Sequence, residues 1–584
     1  MTEWKQRWEE LAPGFVRRCE VERENLLEAC AHPREAQARV LAGCIEPNRD
    51  TVFGREHGFS RIRTVEDYRQ QVPIRGYDEL APWIERSVAG EEKVLTEEHP
   101  NLWLRTSGTT GQSKKIPQTP RWRYLFRGPA ISAQWGTYLR YHPCIAEHPY
   151  ATLDLSWERD VPTQFFARQV PYQSITHRSA SLGGEDWTPP WHDAPWFTFG
   201  EDTRQYARRM YLRLRHLVGQ DLRAVVAVNP STPIALANHL AATGPELVKD
   251  VFDGTLFGRA AFSPDPELAR SLERMLAREG ALRPRAVWPR LNLVVCWKSA
   301  SAGLYMEELH GVYPHAEILP FSTTGTEGVV TLPVDRHPTA GVLAVTQGVY
   351  EFLPSEQQGT GDGQTLLPHE LSVGREYRLV MTQANGMYRY AVGDLYRVLE
   401  YVRGTPRLEF VGREGVFSSF TGEKLAEAQV TGAARAALRE LGIQVTRFTC
   451  CPTWARPPLY TLVVEPTEPL SASRREALAR EFDAQLGKHN DEYGGKRTSG
   501  RLEAPRIEVV RPTTFQRYWD ECVAAGAAGA QLKHKWLQKD DAILSHLLRL
   551  GGPDKAAGRE LPDLSNPIPP SIVSPGRRDE ESPA

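Results

Sequence analysis

Apolar positions recur at helical spacing through residues 1 to about 95, where Trp4, Trp8, Leu11 and Phe15 share one face of an amphipathic helix. Further helices are predicted over residues 34–41 and 77–87, with Val72-Pro73-Ile74-Arg75 extended before the second. Leu102-Trp103-Leu104 and Ile116 read as extended segments on either side of a stretch of small, hydroxylated residues. Residues 122–141, rich in aromatics and arginine, predict another helix. Residues 142–200 carry many Trp, Pro and His with little periodicity, and predict an irregular insertion that could shape a pocket.

From residue 205 helix and strand patterns alternate. Helices are expected over 206–217, 234–242 and 268–279, and apolar strands over 222–228, 291–296 and 316–320. Asn229-Pro230-Ser231-Thr232-Pro233 offers an N-cap hydroxyl with proline in the first turn. Such alternation predicts an α/β fold with a largely parallel sheet flanked by helices, whose ligands bind beyond the carboxyl ends of the strands. Strand-rich sequence follows over 341–347, 350–353, 377–381 and 395–401. Gly412-Arg413-Glu414-Gly415 then reads as a hinge. Beyond it a smaller α+β domain is expected, with helices over 425–441 and 473–486, strands over 444–451 and 460–465, and helices after Thr513 and Asp540. The predicted organisation is a large domain over 1–412, a small hinged domain over 413–550, and a Pro- and charge-rich disordered tail over 551–584.

Composition narrows the class. At 584 residues the chain exceeds one compact core, and 71 basic against 73 acidic residues argue against a nucleic-acid or acidic-membrane partner. No apolar run approaches the ~18 residues of a membrane span, and the first residues lack an apolar signal core. Eight cysteines without a C-x-x-C pair, only Cys450 and Cys451 being adjacent, argue for reduced thiols in a cytoplasm and against structural zinc. No obvious coiled coil is present, so a monomer is expected. Ser299-Ala300-Ser301-Ala302-Gly303 lacks the leading glycine of a hydrolase elbow and reads as a turn.

Chemistry concentrates in four places. In Arg105-Thr106-Ser107-Gly108-Thr109-Thr110-Gly111-Gln112-Ser113-Lys114-Lys115, glycines permit the turn that points main-chain N–H groups at one anion. Hydroxyls add donors and Lys114 adds charge, which suits the phosphates of a nucleotide. The spacing is not that of a Walker loop, and a surface hairpin would carry the same hydroxyls. In Phe321-Ser322-Thr323-Thr324-Gly325-Thr326-Glu327-Gly328, after a predicted strand, Glu327 could hold the Mg²⁺ of a nucleoside triphosphate or be a solvated turn residue. In Tyr388-Arg389-Tyr390-Ala391-Val392-Gly393-Asp394, Asp394 could accept from the paired hydroxyls of a ribose or cap its own turn. Gln531-Leu532-Lys533-His534-Lys535-Trp536, alone, is an ordinary solvated basic face.

As an ordered set, with Phe410-Val411-Gly412-Arg413 at the hinge and Gly422-Glu423-Lys424-Leu425 after it, these motifs resemble the Gretchen Hagen acyl-acid amido synthetase family of adenylate-forming enzymes. Phe53-Gly54-Arg55-Glu56-His57-Gly58-Phe59, Trp288-Pro289-Arg290 and Tyr350-Glu351-Phe352-Leu353-Pro354 match it too, and the likeness covers roughly residues 35–540. It implies a large adenylate-forming domain with a mobile C-terminal domain. It also implies ATP-dependent adenylation of a carboxylic acid, then transfer of the acyl group to an amine, usually of an amino acid. By motif, Thr106, Ser107, Gly108, Thr109, Thr110, Gly111 and Lys114 would hold phosphates, and Glu327 the Mg²⁺. Thr324, Gly325 and Thr326 would lie beside the adenine and α-phosphate, Asp394 at the ribose, Arg413 at the hinge, and Lys533 would enter the site during adenylation. Two departures stand out. Lys535 occupies a position where the family often has proline, so either Lys533 or Lys535 could be the working lysine. Gly325-Thr326 replace the Ser-Ser of the plant form, as in a bacterial-type member.

Two other outcomes remain open on sequence: acyl transfer to a thiol such as coenzyme A, and a degenerate protein that binds ATP without turning it over. Trp122, Trp135 and Tyr138 could line an acyl pocket, but their helical spacing favours core.

Overall fold

The computed structural model describes residues 3–551 apart from 106–113, 160–163, 175–176, 179–188, 198–205, 357–363, 414–416, 419, 421–422, 424, 456, 499–501, 526–533 and 539–540. The predicted tail beyond 551 lies outside the described residues.

The first helix, Glu3–Ala31, buries Trp8, Phe15, Cys19 and Leu26 along one face. It packs against Gly128–Tyr141, where Gly136 permits the approach: a Cβ there would stand 2.2 Å from the Cys19 carbonyl oxygen. Phe15 meets Trp191 edge-on with centroids 5.4 Å apart, and Trp135 lies beside both. Trp122, Trp135 and Tyr138 are all buried, so the core reading of these aromatics holds. Residues 120–141 are helical throughout, but Arg123–Arg127 forms a π-turn between Pro120–Trp122 and Gly128–Tyr141.

The predicted parallel sheet is present, with strand order Glu317–Pro320, Leu293–Cys296, Ala224–Val226, Thr152–Asp154. The last strand corrects the expectation of an irregular insertion over 142–200. All three of its residues are buried, so no polar/apolar alternation marks it, and three residues are too few to show periodicity. The helix after the second of these strands in sequence begins at Ser231 with Pro230 in the cap position and no side-chain cap, contrary to the expected N-cap hydroxyl.

A second, seven-stranded antiparallel sheet runs in the order Thr323–Thr324, Val329–Leu332, Gly341–Leu343, Thr405–Arg413, Tyr390–Val402, Glu376–Thr382, Val349–Pro354. A third sheet places Leu102–Arg105 between Lys115–Gln118, antiparallel, and Tyr172–Ser174, parallel. The C-terminal sheet pairs Val445–Thr453 with Leu459–Pro466, and Arg506–Val509 lies parallel to the latter. Helices Glu427–Glu440 and Ala472–His489 accompany it. The first starts two residues later than expected because Leu425–Ala426 pairs with Phe417–Ser418 instead. One apolar cluster continues from the parallel sheet into the C-terminal sheet, where the rings of Tyr305 and Trp536 meet at 6.2 Å. No disulfide joins the eight cysteines, all of which are described.

Candidate active site

The hydroxyl-rich segment connects two antiparallel strands, with Arg105 opposite Lys115. Thr106, Ser107, Gly108, Thr109, Thr110 and Gly111 lie outside the described residues. The two lysines that follow diverge. Lys114 Nζ donates to Tyr390 Oη at 3.0 Å and stands 5.4 Å from the centre of the Tyr77 ring. Lys115 Nζ instead meets both oxygens of the Glu85 carboxylate at 2.7 Å, while its main-chain N–H donates to Tyr77 Oη. Lys115 is thus occupied on the surface, and Lys114 is turned toward the strand that carries Asp394.

The segment Tyr388–Asp394 divides its labour residue by residue. Tyr388 is buried, donates to the Leu95 carbonyl at 2.8 Å and stacks on Phe53. Arg389, also buried, has φ 44° and lies along Glu351 in a bidentate pair of 2.9 and 2.7 Å; its other nitrogen donates to the Arg69 and Val72 carbonyls. A buried charge so fully partnered holds the backbone in place. Tyr390 reaches Lys114. Gly393, at φ 82°, falls where the register against Glu376–Thr382 breaks, a position that favours glycine. The largely buried Asp394 then sits opposite Arg413, the last residue of its strand, just before a second register break. Bulges of this kind re-aim side chains.

The glutamate loop follows the carboxyl end of strand Glu317–Pro320, where Phe321 N–H donates to the Cys296 carbonyl. Gly325 N–H donates to the Gly328 carbonyl at 2.9 Å and closes the turn. Glu327 is 5% exposed, and a Cβ on Gly325 would stand 2.7 Å from its Oε2, so the glycine makes room for the carboxylate. Thr326 is half-buried at the turn. Among the described residues no donor hydrogen-bonds the Glu327 carboxylate; its charged neighbour is Arg127.

Arg127 ends the π-turn, a feature frequent at functional sites. Its guanidinium reaches Thr324 Oγ1 at 3.4 Å and the Gly325 carbonyl at 3.5 Å, and lies over the Trp122 ring. Burial, then the like charge of Arg123, draws its pKa down to about 10, against the pull of Glu327. Trp122 Nε1 donates to Gln383 Oε1 at 3.1 Å, and the Gln383 amide fills the space that a side chain on Gly328 would take. Sequence reasoning missed both Arg127 and Gln383. The arginine content of residues 122–141 was visible, but the change of helical pitch that turns Arg127 toward the glutamate loop was not.

Lys533 lies outside the described residues, as do 414–416 after Arg413. The adjoining residues add an edge to the C-terminal sheet: Cys450 N–H donates to the Trp536 carbonyl and Gln538 N–H to the Cys450 carbonyl, each at 2.8 Å. Lys535 is exposed, while its carbonyl accepts from Thr449 Oγ1. The structure therefore joins Lys114 to the Asp394 strand and Arg127 to the Glu327 turn, and leaves Lys535 in solvent. Among the described residues no group of three potential ligands could hold a metal by itself. The arrangement offers one buried carboxylate beside cations, suited to a phosphate chain more than to an all-protein metal cage.

Three family profiles match this chain in succession: the GH3 family N-terminal domain over residues 22–318, the central domain over 341–413 and the C-terminal domain over 428–542. Indole-3-acetic acid-amido synthetase GH3.8 of Oryza sativa subsp. indica is 26% identical over 557 residues, covering 89% of this chain and 91% of that protein. Jasmonoyl–L-amino acid synthetase GH3.5 of Oryza sativa subsp. japonica is 22% identical over 544 residues, covering 85% and 91%. Among solved structures, the GH3.15 acyl acid amido synthetase in complex with 2,4-DB superposes with a TM-score of 0.76 at 18% identity, covering 90% of this chain and 95% of that one.

Proposed function

Because this chain belongs to the GH3 family, we propose that it is an ATP-dependent acyl acid amido synthetase joining a carboxylic acid to an amine, an amino acid foremost. A carboxylate oxygen attacks the α-phosphorus of ATP and pyrophosphate leaves. The amine nitrogen then attacks the acyl carbon of the adenylate, loses a proton, and AMP departs. The observation that carries the reading is the hydrogen bond by which Lys114, at the end of the phosphate-type motif, meets Tyr390 on the strand that carries Asp394.

In-line displacement at phosphorus asks for position and charge neutralisation, not a covalent residue. Lys114 and the loop of Thr106 to Gly111 would cradle phosphate oxygens. Thr324, Gly325 and Thr326 would face the adenine and α-phosphate, with Arg127 adding a cation from behind that turn. Asp394 would accept from the ribose hydroxyls, Arg413 would mark the hinge, and Lys533 would bring charge from the small domain during adenylation. Glu327, enclosed and without a hydrogen-bond donor among the described residues, fits as a carboxylate that would hold Mg²⁺, which would supply charge neutralisation. One cation ~4 Å from a phosphate oxygen, at an effective dielectric near 20, contributes about 4 kcal/mol. If half of that is specific to the transition state, its loss slows the reaction by tens-fold. A cytoplasmic monomer is the proposed setting, the cytoplasm resting on eight cysteines with no C-x-x-C pair in the sequence.

The test is pyrophosphate release from Mg-ATP across a panel of aromatic and aliphatic acids, with and without pooled amino acids. Acid-dependent release that multiplies with amino acids is expected. Release that responds to coenzyme A instead would make the chain a thioester ligase, and ATP binding with no release would make it a degenerate binder.

A further inference from the structure

A groove of about 480 Å³ opens among helix Ser231–Ala242, the end of helix Pro266–Glu279, the segment through Arg285, and the end of helix Met306–Val312. It belongs to none of the motifs above. Helix Ser231–Ala242 starts beyond the carboxyl end of strand Ala224–Val226, and the groove is lined by its later half, at Ala237 and Ala241. At 1.5 Å per residue, Ala241 is about 15 Å along the helix axis from its start. The groove therefore lies toward the amino ends of the parallel strands, whereas the Glu327 turn follows the carboxyl end of Glu317–Pro320.

Its charge is one-sided. Arg278, Arg283 and Arg285 line it, with Glu279 the single acid among the lining residues. Glu279 holds Arg278 at 2.9 Å through Oε1 and Arg285 at 3.8 Å through Oε2. Its Oε2 is buried without a hydrogen bond. Arg283 is exposed and makes no hydrogen bond or ion pair among the described residues. Three guanidiniums thus share the one carboxylate, a net excess of two positive charges among the lining residues, over a floor of Ala237, Ala241, Leu282 and Val312. Forked guanidiniums match phosphate and carboxylate oxygens, and the volume suits a small molecule. Gly311 leaves the wall open: a Cβ there would meet nothing within 4 Å.

We propose that this groove is a second ligand site, separate from the nucleotide site, for a small organic anion bearing phosphate or several carboxylates over an apolar body. Arg283 and Arg278 grip the anion, and the alanine and leucine floor takes the apolar part. The assignment stands without the amido synthetase reading.

The experiment is arginine footprinting of the full chain with phenylglyoxal, resolved by mass spectrometry, with pyrophosphate and with citrate as the two probes. Residue-level readout separates this groove from any anion held at Lys114. Either probe is expected to protect Arg278, Arg283 and Arg285, and Gly311→Phe, which fills the groove, is expected to abolish that protection with thermal melting unchanged. In Arg283→Ala the anion concentration that half-protects Arg278 is expected to rise about tenfold, the loss of one charge-assisted hydrogen bond. Labelling unaffected by both anions, or protection that survives in Gly311→Phe, or an unmoved midpoint in Arg283→Ala, would overturn the proposal.

Discussion

Lys114 Nζ and Tyr390 Oη meet at 3.0 Å, joining the end of the hydroxyl-rich segment to the first residue of the strand that carries Asp394. The phenol holds a flexible ammonium in one place before any ligand arrives, which reduces the order to be imposed on binding. Tyr390→Phe keeps the ring and removes the acceptor. A single hydrogen bond to a charged group contributes about 1.5 kcal/mol, so KM for ATP should rise roughly tenfold with the melting temperature little changed. Lys114→Ala should slow acid-dependent pyrophosphate release by at least ~10-fold. Equal kinetics in Tyr390→Phe and wild type would show that the phenol positions nothing.

Arg389, between two residues with other tasks, makes a different prediction. Its bidentate pair with Glu351 has both side chains 1% exposed. Glu351→Gln leaves a guanidinium buried without its counter-charge, an arrangement that costs about 3–5 kcal/mol. The variant should lose that much in denaturant unfolding, while the fraction that remains folded keeps its KM for ATP. A selective rise in KM with normal stability would move Arg389 from scaffold to site.

Glu327 and Arg127 test the metal assignment. Glu327→Gln preserves shape inside the turn that Gly325 leaves open but removes the charge. If the carboxylate holds Mg²⁺, the Mg²⁺ concentration for half-maximal pyrophosphate release should rise about tenfold. An unaltered Mg²⁺ titration with reduced rate would instead leave Glu327 as a partner of Arg127.

Much of this is legible in the amino-acid sequence alone. The motifs around Lys114, Glu327 and Asp394 stand out because small residues and hydroxyls beside one charge are an unusual local composition. Helices such as Tyr206–Leu217 and Tyr77–Val88 stand out by period. What stays hidden depends on tertiary packing. Thr152–Asp154 becomes a strand only because Ala224–Val226 lies beside it. Arg506–Val509 is likewise defined by its partner Leu459–Pro466. Arg127 reaches Thr324 only through a π-turn, and Arg389 reads as part of a binding motif until Glu351, 38 residues away, is seen against it.

His534 gives the fold a pH dependence. Burial pulls its pKa down to about 4, with the nearby Arg447 charge acting in the same direction and the Phe448 carbonyl opposing. Unfolded, the imidazole would titrate near 6.5, so between those values the unfolded chain binds the extra proton. Stability is then fully present above pH ~6.5 and declines as pH falls toward 4. The ring also packs against Phe515 and Trp536. His534→Phe should keep that packing and flatten the fall in melting temperature between pH 7 and pH 5. A slope identical to wild type would assign the acid limb to other groups.

The same segment carries both candidate lysines. Trp536 is buried against Phe448 and Tyr305, and its main-chain N–H donates to Glu427 Oε2 at 3.1 Å. That anchorage fixes the main chain of Lys535 and leaves its side chain in solvent, with no hydrogen bond or ion pair among the described residues. For the main chain at Lys535 to shift, the segment must leave both Trp536's seat and the edge of Val445–Thr453. Pulling a buried indole from its apolar seat and breaking main-chain hydrogen bonds both oppose that movement. Lys533 precedes the anchored stretch in sequence. Lys533→Ala should slow acid-dependent pyrophosphate release by at least ~10-fold, about 1.4 kcal/mol of transition-state stabilisation. Lys535→Ala should change the rate less than about twofold. Both should leave aminolysis of a preformed acyl adenylate near its wild-type rate, since that step no longer displaces pyrophosphate. The reverse ranking would mean that the strap on Val445–Thr453 opens during adenylation, and hydrogen exchange at the Cys450 and Gln538 amides in the presence of ATP and acid would then rise above its resting level.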